Sequence, residues 1–128
     1  MNIILLVALL IVSFLRPTFA QIGDDGTGVV NGYKIGPNAV LTGADLRGTD
    51  LKGANLTRAI LNGAVLEGAD LSDSILLGTE FQNSNLKNTK LMNSNFGRAN
   101  LSGADLSNSN LTNVTMDQSL LVNANLQN

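Results

Sequence analysis

From Leu41 to Leu126 a large apolar residue stands at every fifth position, Leu throughout except for Phe81, Phe96 and Met116. Two places before each of these sits a small residue, Ala, Ser or Thr, with Val114 the exception. The other three places are mostly polar, Gly or Asn. A period of five fits neither regular element, since a helix places apolar residues three and four apart and a strand every second one. In a helix the apolar stripe would wind right round, and Gly43, Gly48, Gly53, Gly63, Gly68, Gly78 and Gly103 would each cost about 1 kcal/mol relative to Ala.

Five does suit a short extended piece followed by a turn. Residues two apart in an extended segment point the same way, so the small and the large residue both face inward. Gly or Asn after the large residue then provides the positive-φ conformation that bends the chain. Repetition gives a solenoid whose coils stack through parallel backbone hydrogen bonds, about 4.8 Å apart. A single coil cannot stand alone. Each buried Leu or Phe contributes roughly 1.5–3 kcal/mol, while ordering each residue costs about 1.5 kcal/mol, so neighbouring coils must share core and ladder.

The fives Ala44-Asp45-Leu46, Ala54-Asn55-Leu56, Ala69-Asp70-Leu71, Ala99-Asn100-Leu101, Ala104-Asp105-Leu106 and Ala124-Asn125-Leu126 repeat one tripeptide. They resemble the A-(D/N)-L-x-x consensus of the pentapeptide-repeat family, from about Ala39 to Asn128. The resemblance implies an all-β fold: a right-handed quadrilateral parallel β-helix with four fives to a coil, about four and a half coils in this chain. Residues twenty apart would stack in columns, with Arg47, Glu67 and Lys87 in one and Asp50, Asp70 and Lys90 in another. Departures from the consensus are Val114 beside Met116, Lys90 in place of Asp or Asn, and apolar Val40, Ile60, Val65, Ile75 and Leu120. Such proteins are plentiful in cyanobacteria and occur in the thylakoid lumen or periplasm, and some mimic duplex DNA to bind type II topoisomerases.

The N-terminal stretch is of another kind. Ile3 to Leu15 is a run interrupted only by Ser13, and Thr18-Phe19-Ala20 places small residues where a signal peptidase reads them. Residues 1–20 are therefore expected to be a signal peptide, the run being short of the roughly 20 residues that span a bilayer. An uncleaved anchor is the alternative. The mature chain is expected outside the cytoplasm: secreted, periplasmic or in the thylakoid lumen, with no membrane attachment after cleavage. In residues 21–38 the fives fail, since their large-residue positions would be Asn31 and Gly36. Val29, Val30, Tyr33 and Ile35 suggest a short strand or loop that caps the open first coil, leaving residues 39–128 as the β-helix. Asp24-Asp25-Gly26 lacks the further carboxylates of a calcium loop.

Composition narrows the function classes. With no Cys and no His, the chain has no disulfide framework and no imidazole or thiolate for catalysis or metal. No cofactor is implied, and an enzyme is the least favoured class. The repeats hold eight acidic residues (Asp45, Asp50, Glu67, Asp70, Asp73, Glu80, Asp105, Asp117) against six basic ones (Arg47, Lys52, Arg58, Lys87, Lys90, Arg98). A nearly neutral rod gives neither a nucleic-acid partner nor the phosphate-like field of a DNA mimic. Outward Thr42, Thr57, Thr112 and Thr115 share no column, against an ice-binding ladder. What remains is an exported structural or protein-binding module. Its candidate partner patch is Ile60, Val65, Ile75 and Leu77, apolar at outward places. Its candidate self-association end, for a homodimer through the last coil, is Met116, Leu120, Leu121, Val122 and Leu126.

Overall fold

The computed structural model describes residues 21–128, so the signal-peptide expectation for residues 1–20 lies outside the described residues. From Val40 onward the chain forms a parallel β-helix whose rungs all join residues twenty apart. One row of bridges links Val40, Ile60, Glu80, Asn100 and Leu120; the next links Asp45, Val65, Asn85, Asp105 and Asn125. Asp50, Asp70, Lys90 and Asn110 make a third row, and Asn55, Ile75, Asn95 and Thr115 a fourth. At Ile60 the N–H donates to Ala39 O at 2.8 Å, and Ile60 O accepts from Leu41 N–H at 2.7 Å. Each five contributes one such bridge and then turns, so the ladder is a set of single rungs rather than long strands. At the turns, Ala44 N–H donates back to Leu41 O at 3.0 Å, and the motif recurs along the chain.

The interior is filled by side chains. Every large residue of the fives from Leu46 to Leu106 is fully buried, and Phe81 and Phe96 meet with ring centroids 5.6 Å apart. Small residues occupy the space between. Where they carry hydroxyls, these bond to carbonyls of the large residues: Thr79 Oγ1 donates to Leu56 O at 2.7 Å, and Ser109 Oγ to Leu86 O at 2.6 Å. Ser74 is different, since its Oγ is buried with no partner among the described residues. Ser74→Ala should therefore raise the unfolding free energy by about 1 kcal/mol, whereas Ser109→Ala should lower it by about the same. Urea unfolding of both variants checks the opposite signs.

Residues 21–38 form a small antiparallel sheet with β1 (Gln21–Ile22), β2 (Gly28–Val30) and β3 (Tyr33–Ile35) in that order. Asn31 (φ 50) and Gly32 (φ 80) make the two-residue turn that joins β2 and β3. Alternation sends Val30 and Ile35 into the same core as Leu41 and Val29 outward, while Tyr33, on the core side of the sheet but next to the turn, stays partly exposed. Gly26 O accepts Asn55 N–H at 2.7 Å, at the base of the fourth row, where no earlier coil could do so. At the other end burial fades: Leu111, Met116 and Leu121 are half-buried, and Leu126 is 40% exposed.

Candidate functional site

The outward residue before each large one has a structural task that the periodicity alone did not reveal. Where it is Asp or Asn, its side-chain oxygen accepts the backbone N–H two residues on, as Asp50 does from Lys52 (3.1 Å), Asp70 from Ser72 (3.0 Å) and Asn100 from Ser102 (3.1 Å). This Asx turn is why Asp and Asn recur at that place. Apolar Ile60, Val65 and Ile75 cannot make it, so each sits in its row without that bond.

Carboxylates of the repeats are further occupied by cations. Arg47 pairs with Asp45 (2.5 Å), Lys52 with Asp73 (3.6 Å), Lys87 with Asp105 (3.3 Å) and Lys90 with Asp70 (3.5 Å). The expected column of Arg47, Glu67 and Lys87 is thus not a ladder of ion pairs, because both cations reach a nearer Asp. The column of Asp70 and Lys90 does pair. Hydrogen bonds from the Arg47 side chain and then its N–H hold Asp45 down to about 2. Thr27 N–H and hydroxyl lower Asp25, and Ser107, helped by Lys87, lowers Asp105. Burial works against ionisation at Asp70, but Ser72 and Lys90 outweigh it and its pKa is lowered.

All four Asp carboxyls are more acidic in the fold than their ordinary value of 3.8. Protonation therefore favours the unfolded chain. Their stabilisation is complete above the unfolded pKa and is lost as pH falls through the folded values. Thermal melts should be flat above about pH 5 and shift downward between about pH 4 and pH 2. Arg47→Gln should flatten the lower part of that curve.

The four residues of the expected apolar patch do not share one surface. Ile60, Val65 and Ile75 stand in three different rows, because each five turns the chain on to the next side. Ile75 and Leu77 (42% and 40% exposed) flank Leu76 on one face. Ile60 lies on the following face, beyond the corner at Arg58, and Val65 one face further still. The C-terminal candidates do lie together in the last coil: Leu120 and Val122 are 54% and 63% exposed, with Met116 and Leu121 half-buried. Asp24 and Asp25 hold no cation site with a third carboxylate, since among the described residues no group of three metal-ligating side chains occurs.

One groove, of about 570 Å³, runs along the corner between the faces of Ile75 and Ile60. Arg58, Leu77, Gly78, Asn95, Gly97 and Arg98 are among its lining. Leu77 folds over Gly97: a Cβ built on that glycine would lie 2.9 Å from Leu77 Cδ2. Charge and hydrophobic periodicity do not single out Arg58 and Arg98, although the turn position taken every twenty residues puts them in one column.

Among known proteins, the Pentapeptide repeats family matches residues 38–73, 50–88, 59–98 and 89–128, in eight copies. A pentapeptide repeat protein from the cyanobacterium Cyanothece 51142 is 34% identical with a TM-score of 0.69, the match covering 70% of this chain and 62% of that one. The chain thus spans less than two thirds of that relative. One from Nostoc Pcc 7120 is 32% identical with a TM-score of 0.39, covering 62% and 81%. Another, from the Arabidopsis thaliana thylakoid lumen, is 31% identical with a TM-score of 0.30, covering 66% and 57%. No curated protein matches the chain. With its repeats recognised from residue 38 to residue 128 and its rungs spaced by twenty, the chain belongs to the pentapeptide-repeat family.

Proposed function

We propose that this chain is an exported, non-catalytic protein-binding module, a right-handed four-sided β-helix of about four and a half coils. The observation that carries the reading is the filled interior: large residues from Leu46 to Leu106 are fully buried, so chemistry is available only on the outer faces. Most inward hydroxyls bond core carbonyls, and Asp45, Asp70, Asp73 and Asp105 are held in ion pairs, so few of the groups a hydrolase would need stand ready. The same pairing leaves no acidic rod of the kind a DNA mimic requires. Export rests on the apolar run of residues 3–15 and its small-residue terminus.

We place partner contact at the corner between the face of Ile75 and Leu77 and the face of Ile60, with Val65 one face further on. A second copy is placed against the last coil, at Met116, Leu120, Leu121, Val122 and Leu126. Pull-down from the extracytoplasmic fraction should recover a partner with the wild-type chain and lose it with Ile60→Asp/Ile75→Asp. Equal recovery by both proteins would remove that corner from consideration. Light scattering should show a dimer at tens of micromolar that Leu120→Asp/Val122→Asp converts to a monomer, and a wild-type monomer would rule out the second contact.

A further inference from the structure

Each five ends in a turn residue with positive φ, and these residues stack in columns at the corners. At three corners the columns hold only Gly and Asn, with one Asp at Asp73. At the fourth corner the column reads Asn38 (φ 59), Arg58 (φ 57), Gly78 (φ 62), Arg98 (φ 59) and Gln118 (φ 59). Long side chains are uncommon in this left-handed region, and residues kept there against preference cluster at binding and active sites. The two Arg residues are also distinct in their partners. The other four cations of the repeats each pair with an Asp. Among the described residues Arg58 and Arg98 have no carboxylate partner, and Arg98 is held only by Nε donating to Gln118 Oε1 at 3.2 Å. Both line the groove, with Leu77 between them in level.

We infer that this groove binds an extended peptide segment lying along the rod axis, with two carboxylates flanking an apolar side chain. The inference rests on the binding-module reading above and names the partner's chemistry. Two coils separate the Arg residues, so their Cα atoms rise from levels about 10 Å apart. In an extended chain the first, third and fifth side chains share one face, and the outer two are about 13 Å apart. Splayed Arg side chains cover that span, and the middle residue meets Leu77. Guanidinium groups suit carboxylates, with paired charge-assisted hydrogen bonds. A nucleic-acid strand fits less well: it presents a continuous run of phosphates, whereas the groove is lined by two cations and one carboxylate, Asp117, and has no aromatic stacking platform.

The test uses the full chain and a fluorescein-labelled peptide, Glu-Ser-Leu-Ser-Glu, followed by anisotropy at low salt. Binding should weaken as salt rises, and should fall on the order of tenfold or more for the Gln-Ser-Leu-Ser-Gln peptide. Arg58→Asn/Arg98→Asn should cause the same loss without lowering the melting temperature, because Asn38 already occupies this column and Asn occupies the equivalent turn elsewhere. Arg47→Asn, at another corner, should leave binding unchanged. Absence of wild-type binding at millimolar peptide, or equal binding by the double Asn variant, would overturn the inference. Displacement by micromolar inorganic phosphate would also overturn it, by indicating a single-anion site. Should the double Asn variant still capture the partners of the wild type from the extracytoplasmic fraction, the groove would be excluded while the binding-module reading stood.

Discussion

Leu66→Ala is expected to lower the unfolding free energy by about 2–5 kcal/mol, while Leu126→Ala changes it by less than about 1 kcal/mol. The two residues hold the same place in the repeat, so sequence alone ranks them equally. Leu66 is fully buried, with a coil below and coils above, and the cavity it would leave cannot be filled by water or by collapse of a stiff ladder. Leu126 is 40% exposed and loses little contact on truncation. Intermediate losses are expected at half-buried Leu111 and Leu121. Urea unfolding of the series tests this gradient. Measured at submicromolar chain, where the last coil is not paired with a second copy, equal losses at Leu66 and Leu126 would contradict this gradient.

The period of five made the fold legible because both partners of the core, the large residue and the small one two places before it, are written into every repeat. Leu46 through Leu106 are buried as that alternation requires. Three features were harder to read. The task of the Asp and Asn residues is local, an Asx turn from Asn100 to Ser102 N–H for example, and it leaves no mark on hydrophobic periodicity. The N-terminal sheet did carry a signal, Asn31-Gly32 between Val29-Val30 and Tyr33, which is the standard two-residue hairpin turn. The period of five carries no trace of it, and the apolar residues alone suggest only a short strand or loop. The corner groove depends on residues twenty and forty apart at the turn position, whose significance appears only when φ is known. The apolar patch failed as a single surface for a related reason. Ile60, Val65 and Ile75 are similar in sequence context, but each step of five changes the face.

Gly26→Ala is the second large effect expected. At φ +76 a Cβ on this residue would lie 2.7 Å from Asn55 N and 2.9 Å from Gly53 O, both backbone atoms that the ladder holds in place. The left-handed conformation adds its own penalty for any side chain. Relief requires Gly26 to move away, which breaks its 2.7 Å hydrogen bond from Asn55 N–H and loosens the sheet from the first coil. A loss of about 2–4 kcal/mol is expected, with Val30 and Ile35 drawn out of the core. Gly32→Ala is the control, because its Cβ would meet nothing within 4 Å and only the conformational penalty remains. Hydrogen exchange should show the Asn55 amide losing protection in Gly26→Ala and keeping it in Gly32→Ala. Retained protection in both would show that the sheet is not anchored through Gly26.

The stacking of residues twenty apart is most directly measured by scalar coupling through backbone hydrogen bonds in the isotopically labelled chain. The Leu66 amide nitrogen should couple to the Asn85 carbonyl carbon, and Leu46 to Val65, across bonds of 2.7 and 2.8 Å. Couplings from Leu66 to a residue three or four places away, or none to Asn85, would contradict the β-helix and everything built on its columns.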